Sequence, residues 1–455
     1  MALPVTFGTL TAGNQPASLF DTMFGVVAGM GNVQCTATGT NTILLTPVTN
    51  MPTISAYTFG MSFVFLAAGN NSGAVTINVS SVGAVPLVHP DGSACVTGDI
   101  KTNQVVEVAY DGVGSFFIIS PLATVVVPGN VLGYRNWLIN GSFEVWQRGA
   151  GGSASIAVAA STTAYTADRW YTITGANQAS VISQQTGLTT GSRFSARFIR
   201  NSGQTGTGQM FFAQVFDSDT ILALANRTVT FSGVAATGAN WSPTNGTISI
   251  KLFCGTGAVT KRGNTPYTGE TTPISATQNI AAGSGATTIT GVSGAIPSNT
   301  TQMELQIQWT PVGTAGAADS ITFDDLQLEP ASTATAFDEW RRNFINELAQ
   351  CQRFYEKSFP YATAPAQNAG VTGAFQETGQ ASTVGHWIQY MTRKRAAGTV
   401  TTYNPSAANA NWRDITGSAD VTVTVNGNSE NGIQISMGAG GAHTMNIHWQ
   451  IDSEI

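Results

Sequence analysis

The segment Met303-Glu-Leu-Gln-Ile-Gln-Trp309 alternates apolar and polar side chains at every position. Successive side chains of a β-strand lie on opposite faces, so its four apolar residues should face a core while Glu304 and Gln308 face away. Similar alternation recurs at Phe194–Phe198 and Ile248–Leu252, in about ten short runs between residues 129 and 336. Such strands imply two sheets packed face to face, and we predict a jelly-roll β-sandwich for residues 129–336. Residues 255–285, rich in Gly and Thr, are predicted to form an exposed excursion.

The composition is unusually poor in charge. Only 10% of the 455 residues are charged, against roughly 25% in ordinary soluble proteins. The hydrophobic fraction of 42% is high enough to build cores, which argues against disorder. A low-charge β chain is typical of assemblies in which sister copies cover much of the surface, so we expect a homotrimer.

The charge and the apolar runs also exclude some partners. A net charge of −6 argues against nucleic acid, whose binding needs a basic face. The most apolar run, Tyr57–Ala68, is too short to span a bilayer, so no membrane insertion is expected. The first basic residue is Lys101, and an early positive charge is part of a secretory signal. We therefore expect synthesis and assembly in a cytoplasm.

A second decisive stretch is FDEWRRNFINELAQCQRFYEKSF, Phe337–Phe359. Trp340, Phe344, Leu348 and Tyr355 recur at helical spacing, which predicts one amphipathic helix over residues 337–358. An apolar stripe needs a partner, and two remain open: the adjacent sheet, or copies of the helix around a symmetry axis. The helix would connect the jelly roll to a small C-terminal β tip domain, residues 359–455.

The N-terminal portion, residues 1–128, is predicted to be a small β domain with one short helix, Asn14–Met30. A hairpin is expected across Asp111-Gly112-Val113-Gly114. The predicted fold class is therefore all-β throughout, apart from this helix and the connecting one.

The four cysteines, Cys35, Cys95, Cys254 and Cys351, are far apart and lack the paired spacing of zinc sites. Buried free thiols are the default interpretation. A Cys35–Cys95 bridge and a contact of Cys351 with its own copies are the alternatives. The sequence contains no nucleophile-elbow, phosphate-loop or metalloprotease motif, so we predict that the protein is not an enzyme.

Several motifs resemble known proteins. Gly73–Val79, Gly92-Ser-Ala94 and Tyr110-Asp-Gly112 resemble a small β module of phage and prophage tail-fibre proteins, over about residues 60–120. Asn136–Glu144 and Ile321–Pro330 resemble the opening NGxFE and closing DDxxLE of jelly-roll carbohydrate-binding modules. Further similarities to tail-fibre proteins that carry this module lie at Tyr165–Trp170 and Glu347–Tyr355.

The resemblance implies a virion fibre that attaches to the bacterial surface by binding its polysaccharide. Its N-terminal domain would join a tail or baseplate protein, or a head or collar protein. Two other functions stay open: a head or collar decoration fibre with an architectural role, and a glycan-degrading tailspike.

The resemblance also nominates site residues. No cofactor is required, but many such modules hold a structural calcium, which would fall on Glu144 and Asp324, with Asp325 as second choice. For sugar stacking, Trp241 in a turn-rich stretch is the best candidate for an exposed aromatic plate, whereas core packing explains Trp170 better. The remaining ligand-binding candidates are Tyr171, Tyr390, Trp412 and Arg413.

Overall fold

The computed structural model describes residues 32–48, 54–120, 135–149, 155–438 and 441–455. The chain divides into two compact units, Met1–Leu132 and Gly133–Ile455. Within the described ranges it is almost wholly β, with two short α-helices, so the all-β prediction is confirmed. No helix in those ranges has the length and apolar character needed to cross a bilayer. The predicted helix Asn14–Met30 lies outside the described residues.

The first unit contains a closed seven-stranded barrel. Its strands are β1 (Val33–Thr38), β2 (Thr42–Pro47), β3 (Ser62–Leu66), β4 (Val75–Val79), β5 (Val85–Val88), β6 (Val105–Tyr110) and β7 (Phe116–Ile118). They close in the order β1-β2-β4-β5-β7-β6-β3. One apolar row from each strand points inward, and Phe63, Ile77 and Phe116 are fully buried there.

The predicted hairpin at Asp111–Gly114 is confirmed between β6 and β7. The Asp111 carboxylate accepts the backbone N–H groups of Val113, Gly114 and Ser115 at 2.8–2.9 Å. Gly112 has a φ of 81°, a conformation that a glycine adopts without steric cost.

The second unit begins with a jelly-roll sandwich of twelve strands. They are β8 (Ser155–Val158), β9 (Thr163–Tyr165), β10 (Tyr171–Ile173), β11 (Ser180–Thr186), β12 (Phe194–Arg200), β13 (Met210–Val215), β14 (Thr228–Thr237), β15 (Thr247–Thr256), β16 (Thr268–Asn279), β17 (Thr287–Ala295), β18 (Gln302–Trp309) and β19 (Ser320–Glu329). The front sheet has the order β16-β15-β18-β13-β10-β9, and the back sheet β17-β14-β19-β12-β11-β8. Helix α1 (Ser218–Leu224) follows β13.

Aromatic side chains cross the sandwich core. Phe212 of the front sheet stacks on Trp170, with ring centroids 4.8 Å apart, and on Phe323 of the back sheet at 5.9 Å. All three are buried because each occupies an inward position of its strand or turn. The predicted two-sheet sandwich is therefore confirmed.

One sequence prediction within the sandwich is wrong. Residues 255–285 do not form a simple exposed excursion, because Thr268–Asn279 pairs with β15 as the edge strand of the front sheet. Only Ile274 of that strand is buried, so its sequence lacks the apolar alternation that marks the other strands. The β-branched threonines nevertheless favour extended backbone.

The connecting segment is not one amphipathic helix. A 3-10 turn (Glu339–Arg342) is followed by α2 (Phe344–Gln352), with Asn343 as its N-cap, and then by strand β20 (Tyr355–Lys357). Trp340 is 69% exposed, whereas the buried side chains of this segment include Arg341, Glu347 and Cys351. The predicted apolar stripe is therefore wrong, because a buried ion pair anchors the segment instead.

The C-terminal residues form two further sheets. Strands β21 (Phe375–Thr378), β23 (Thr399–Tyr403), β24 (Trp412–Asp414) and β25 (Ala419–Val421) join β20 around the long strand β28 (Thr444–Asp452). A three-stranded sheet has the order β22 (Val384–Gln389), β27 (Gly432–Met437), β26 (Val423–Asn428). Their core contains Trp412, Ile433 and Ile447.

These residues belong to the same compact unit as the jelly roll. The Tyr361 hydroxyl accepts the Trp146 backbone N–H at 2.7 Å, and the Tyr165 hydroxyl donates to the Ile455 carbonyl at 2.9 Å. Arg169, which is 2% exposed, forms an ion pair with Glu454. The predicted segments 129–336, 337–358 and 359–455 therefore share one continuous body from residue 133 onward.

All four cysteines are free and buried. The alternative of a Cys35–Cys95 bridge is therefore wrong. Cys351 is fully buried within its own chain, which leaves no exposed sulfur to meet a second copy.

Candidate functional site

The outer face of the front sheet carries a row of polar side chains on its central strand, β18. Glu304, Gln306 and Gln308 point away from the sandwich core, as their alternation predicts, yet all three are buried. The Gln306 amide donates to Glu304, and the Gln308 amide donates to Gln306. The row therefore forms a continuous hydrogen-bonded chain along β18.

Residues 257–267, here called the covering segment, close one end of this row. The backbone N–H of Arg262 donates to Glu304 at 2.7 Å, and the Gln306 amide donates to the Gly263 carbonyl at 2.9 Å. Arg262 is held in turn by Glu270, with both carboxylate oxygens within 2.9 Å of its guanidinium. Alternation within β18 gives no sign of this cover, because the covering segment is distant in sequence.

Burial under the covering segment shifts the pKa values of Glu304 and Tyr171, which lie at the covered end of the polar row. Desolvation raises the pKa of Glu304, and hydrogen bonds from Gln306, Tyr171 and the Arg262 backbone oppose that rise. Desolvation and the neighbouring Glu304 raise the pKa of the Tyr171 phenol, which donates to that carboxylate at 2.5 Å. Tyr171 is thus a structural partner of Glu304 and is fully buried.

The other end of the row opens into a groove of about 330 Å³. The groove residues with amide or hydroxyl side chains are Gln209, Thr244, Asn245, Thr247, Ser249, Gln308 and Thr310. Pro243 and Val312 add apolar contact, and no charged side chain is among the described residues that line it. The Gln209 amide reaches Gln308 at 3.3 Å, so the groove is the open continuation of the polar row.

The turn Thr244–Gly246 forms one lip of this groove. Asn245 has a φ of 56°, a conformation that asparagine tolerates better than most side chains, and it is exposed. Neutral amides and hydroxyls can both donate and accept hydrogen bonds, which matches the hydroxyl groups of an uncharged polar ligand.

The three predicted calcium ligands are already bonded to protein donors. Glu144 pairs with Arg193 at 2.6 Å and Asp325 pairs with Arg342 at 2.7 Å. Asp324 accepts the backbone N–H groups of Leu188 and Asp325 at 2.7 and 2.8 Å. Among the described residues, these three carboxylates do not gather their oxygens within 4.8 Å of one another.

Burial and the adjacent Asp325 carboxylate raise the pKa of Asp324 to about 6. Arginine side chains supply positive charge at the other two positions. As placed, the three residues do not fit a calcium ion, and calcium binding stays a prediction.

The predicted exposed plate at Trp241 is wrong. Trp241 is 7% exposed and packs in the jelly-roll core near Trp309, with ring centroids 6.0 Å apart. Trp170 and Tyr171 are fully buried as well. A turn-rich sequence predicts exposure, but this turn directs the indole into the end of the sandwich.

The C-terminal candidates are also mostly inside the protein. Trp412 is fully buried and donates its indole N–H to the Ser436 carbonyl at 3.2 Å. Tyr390 is 5% exposed and donates to Asn428 at 3.0 Å. Arg413 keeps 22% of its side chain exposed and pairs with Asp420 at 3.1 Å. None of these residues lines the groove, and their role in ligand binding stays a prediction.

An exposed aromatic residue that sequence reasoning missed is Trp387, at 55% exposure on β22. It lies opposite Gln434 of β27, and its ring covers Gly432, where an added methyl group would lie only 2.6 Å from the indole. The sequence does carry a signal for this exposure: inward-facing Ile388 places its neighbour Trp387 on the outer face of the strand.

Comparison with known proteins gives only distant structural similarities. No family model and no curated protein matches the chain. A xylan-binding domain from CBM 22 is 16% identical, with 37% of this chain and 90% of that chain covered and a TM-score of 0.25.

Two other solved structures are comparably distant. The enzymatically active domain of bacteriophage CBA120 tailspike protein 4 is 12% identical, with 43% of this chain and 22% of that chain covered and a TM-score of 0.24. The Stig cyclase Fisc from Fischerella sp. TAU is 15% identical, with 44% and 98% covered and a TM-score of 0.29. At such low scores these similarities carry no argument about the function of this chain.

Proposed function

We propose that this protein is a non-enzymatic, homotrimeric virion fibre, a tail fibre, that attaches to the bacterial host by binding surface polysaccharide. The N-terminal unit would join a tail or baseplate protein, and the jelly roll and C-terminal sheets would face the host. The motifs shared with tail-fibre proteins and with carbohydrate-binding modules support this proposal.

The observation that carries the glycan part is the neutral groove on the outer face of the front sheet. Its exposed lining includes Gln209, Thr244, Asn245 and Thr310. Neutral sugars offer many hydroxyl groups and no charge, and these side chains can pair with both hydroxyl donors and acceptors. The described lining contains no carboxylate to act as acid or base, which favours binding over glycan cleavage.

Trp387 is a second supporting feature. An exposed indole beside the amide of Gln434 offers an apolar plate with an adjacent hydrogen-bonding group. Such a surface suits the apolar face of a sugar ring, and it lies on a sheet separate from the groove.

The trimer is supported by the exposed apolar side chains of the barrel. Leu66 and Val105 lie directly opposite each other on neighbouring strands and are 53% and 62% exposed. Phe59 is 83% exposed. Complete burial of a fully exposed large apolar side chain contributes about 1.5–3 kcal/mol, and sister copies that cover these residues would gain the fraction of this value that corresponds to their remaining exposure.

Weak individual sites are sufficient in this arrangement. A millimolar site corresponds to about −4 kcal/mol. Several copies on one particle raise the overall avidity by about 10²–10⁴.

The experiment measures retention of fluorescently labelled full-length protein on an array of bacterial surface polysaccharides. Asn245→Gly keeps the left-handed backbone but removes the amide from the groove. We expect it to weaken retention on the bound polysaccharide by up to about tenfold per site, the value of one lost hydrogen bond. Asn226→Gly is the matched control, because Asn226 is also exposed, has a φ of 61° and lies outside the groove.

Three outcomes would contradict the proposal. Wild-type protein that binds no polysaccharide would favour an architectural decoration fibre. Released oligosaccharide would indicate a tailspike enzyme. Equal loss of retention in both glycine variants would show that the groove is not the contact site.

A further inference from the structure

A group of three metal-ligand side chains lies in the first unit, apart from the proposed sugar groove. His89, Cys95 and Asp99 belong to the loop between β5 and β6, and their ligand atoms all lie within 4.8 Å of one another. Cys95 is 2% exposed and Asp99 is 1% exposed, while the His89 side chain keeps 18% exposure. The group therefore offers one sulfur, one nitrogen and one oxygen ligand atom in a mostly buried position.

The loop that carries this group is held in place by Asn71, which is 2% exposed. The Asn71 amide donates to the Gly73 and Val96 carbonyls at 2.8 and 2.7 Å. Its side-chain oxygen accepts the N–H groups of Gly98 and Ile100 at 3.1 and 2.9 Å. The backbone between Cys95 and Asp99 is thus fixed before any ligand arrives, which lowers the entropy cost of binding.

Hydrogen bonds also orient the His89 ring. The Ser93 hydroxyl lies 2.6 Å from Asp91 Oδ1 and 2.8 Å from His89 Nδ1, so it bridges these two side chains. This arrangement turns Nε2 toward Asp99 Oδ2 at 2.8 Å. This is the distance of a hydrogen bond, whose proton a bound metal ion would displace, and the same Oδ2 also accepts the Val96 backbone N–H at 2.6 Å.

We propose that His89, Cys95 and Asp99 bind one Zn²⁺ ion. Zinc takes thiolate sulfur at about 2.3 Å, imidazole nitrogen at about 2.0–2.1 Å and carboxylate oxygen at about 2.0–2.2 Å. A tetrahedral centre of this size places its ligand atoms roughly 3.3–3.6 Å apart. His89 Nε2 and Asp99 Oδ2, now 2.8 Å apart, would separate slightly on binding, and all three ligand atoms already lie within 4.8 Å of one another. A water molecule completes the fourth position.

Zinc fits this set better than calcium or magnesium does, because those ions prefer oxygen ligands only. On binding, the sulfur–zinc bond replaces the S–H bond of Cys95, and its proton passes to solvent together with the proton shared by His89 and Asp99. Ser93 and Asp91 hold the His89 ring by its other nitrogen, as the hydrogen-bonded partners of metal-binding histidines commonly do. The metal would tie the loop to the end of β5 and stabilise the barrel.

The test uses the full-length protein, freed of metal by dialysis against EDTA and titrated with ZnCl₂ by calorimetry. We expect one zinc per chain and an increase in the unfolding temperature of the first unit. Replacing zinc by Co²⁺ should give the thiolate-to-cobalt charge-transfer band in the near ultraviolet. Because this readout uses wild-type protein, it does not depend on whether a variant folds.

Cys95→Ser should abolish both the stoichiometric zinc and the charge-transfer band. The matched control is Cys35→Ser, since Cys35 is a buried free thiol in the same barrel but outside the group. The proposal fails if wild-type protein takes up no stoichiometric zinc, if bound Co²⁺ shows no thiolate band, or if Cys35→Ser loses metal as completely as Cys95→Ser.

Discussion

His448 is a buried side chain whose surroundings favour the neutral ring. Its Nε2–H donates to the Gly370 carbonyl at 2.9 Å, and Nδ1 is 2.9 Å from the Ser358 hydroxyl. The ring stacks on Phe359 with centroids 3.9 Å apart. Burial lowers the pKa of His448 from its usual 6.5, and the hydrogen bond to Gly370 opposes this shift.

We expect acidification through pH 6.5 to destabilise the protein through His448. Below that value the unfolded chain binds a proton that the folded chain does not, so the free energy of unfolding falls as the pH falls toward the lower folded pKa. His448→Gln removes the titration and should flatten this part of the stability curve. Chemical denaturation at a series of pH values measures the difference.

Parallel curves for wild-type protein and His448→Gln would contradict this expectation. His443→Gln provides a comparison at a histidine in a different setting, since His443 keeps 43% of its side chain exposed and pairs with Asp414 at 2.6 Å.

At the same scale, the sequence predicts which way many side chains point but not what covers them. The alternation in β18 correctly directs Glu304 and Gln308 away from the core. Their burial depends on the covering segment and on the end of the groove, which are distant in sequence. Trp241 shows a different limit, because a turn-rich sequence does not reveal that its turn directs the indole into the core.

The element α2 is anchored by a buried ion pair. Arg341 Nη1 lies 2.9 Å from Glu347, and the Arg341 guanidinium also donates to the Asn136 carbonyl at 2.9 Å. The other Glu347 oxygen accepts the Asn140 N–H at 2.6 Å. Burial raises the pKa of Glu347, while Arg341 and this hydrogen bond lower it.

Arg341→Met should lower the free energy of unfolding by about 3–5 kcal/mol, because it leaves the Glu347 charge buried without its partner. Adding Glu347→Gln should recover part of this loss, since the amide oxygen still accepts the Asn140 N–H without a charge. Denaturation of the single and double variants measures both values. A double variant less stable than Arg341→Met alone would contradict the ion-pair account.

This element also shows why periodicity fails in the connecting segment. Trp340, Phe344, Leu348 and Tyr355 recur at helical spacing, and the helix prediction places Arg341 and Glu347 in solvent. The spacing of apolar residues predicts the buried face of a helix only when the charged side chains stay in water. Arg341 and Glu347 are instead buried together as an ion pair, so the prediction fails here. The inward positions of the central jelly-roll strands are apolar, so their alternation predicts the sandwich correctly.

At the scale of the molecule, the jelly roll and the C-terminal sheets form one continuous body. Arg148 lies over the Tyr355 ring at 3.9 Å and pairs with Asp452 at 3.2 Å. Glu454 pairs with Arg169 and lies 3.5 Å from Arg148. Strand β28, which ends at Asp452, thus connects the C-terminal core to charged residues of the jelly roll.

We expect a fragment of residues 133–455 to unfold in one cooperative transition. A fragment of residues 359–455 should not fold alone, because it lacks β20 and the arginines that pair with Asp452 and Glu454. Thermal unfolding followed by circular dichroism, with limited proteolysis, distinguishes the two fragments. A protease-resistant 359–455 fragment with its own cooperative transition would contradict this expectation.

The central claim, a fibre built from three copies, is tested most directly by the mass of the full-length protein in solution. Light scattering coupled to size-exclusion chromatography gives that mass without a reference shape. We predict a stable species of three times the 47.3 kDa chain mass. A folded, well-dispersed single chain at the same concentration would contradict the claim.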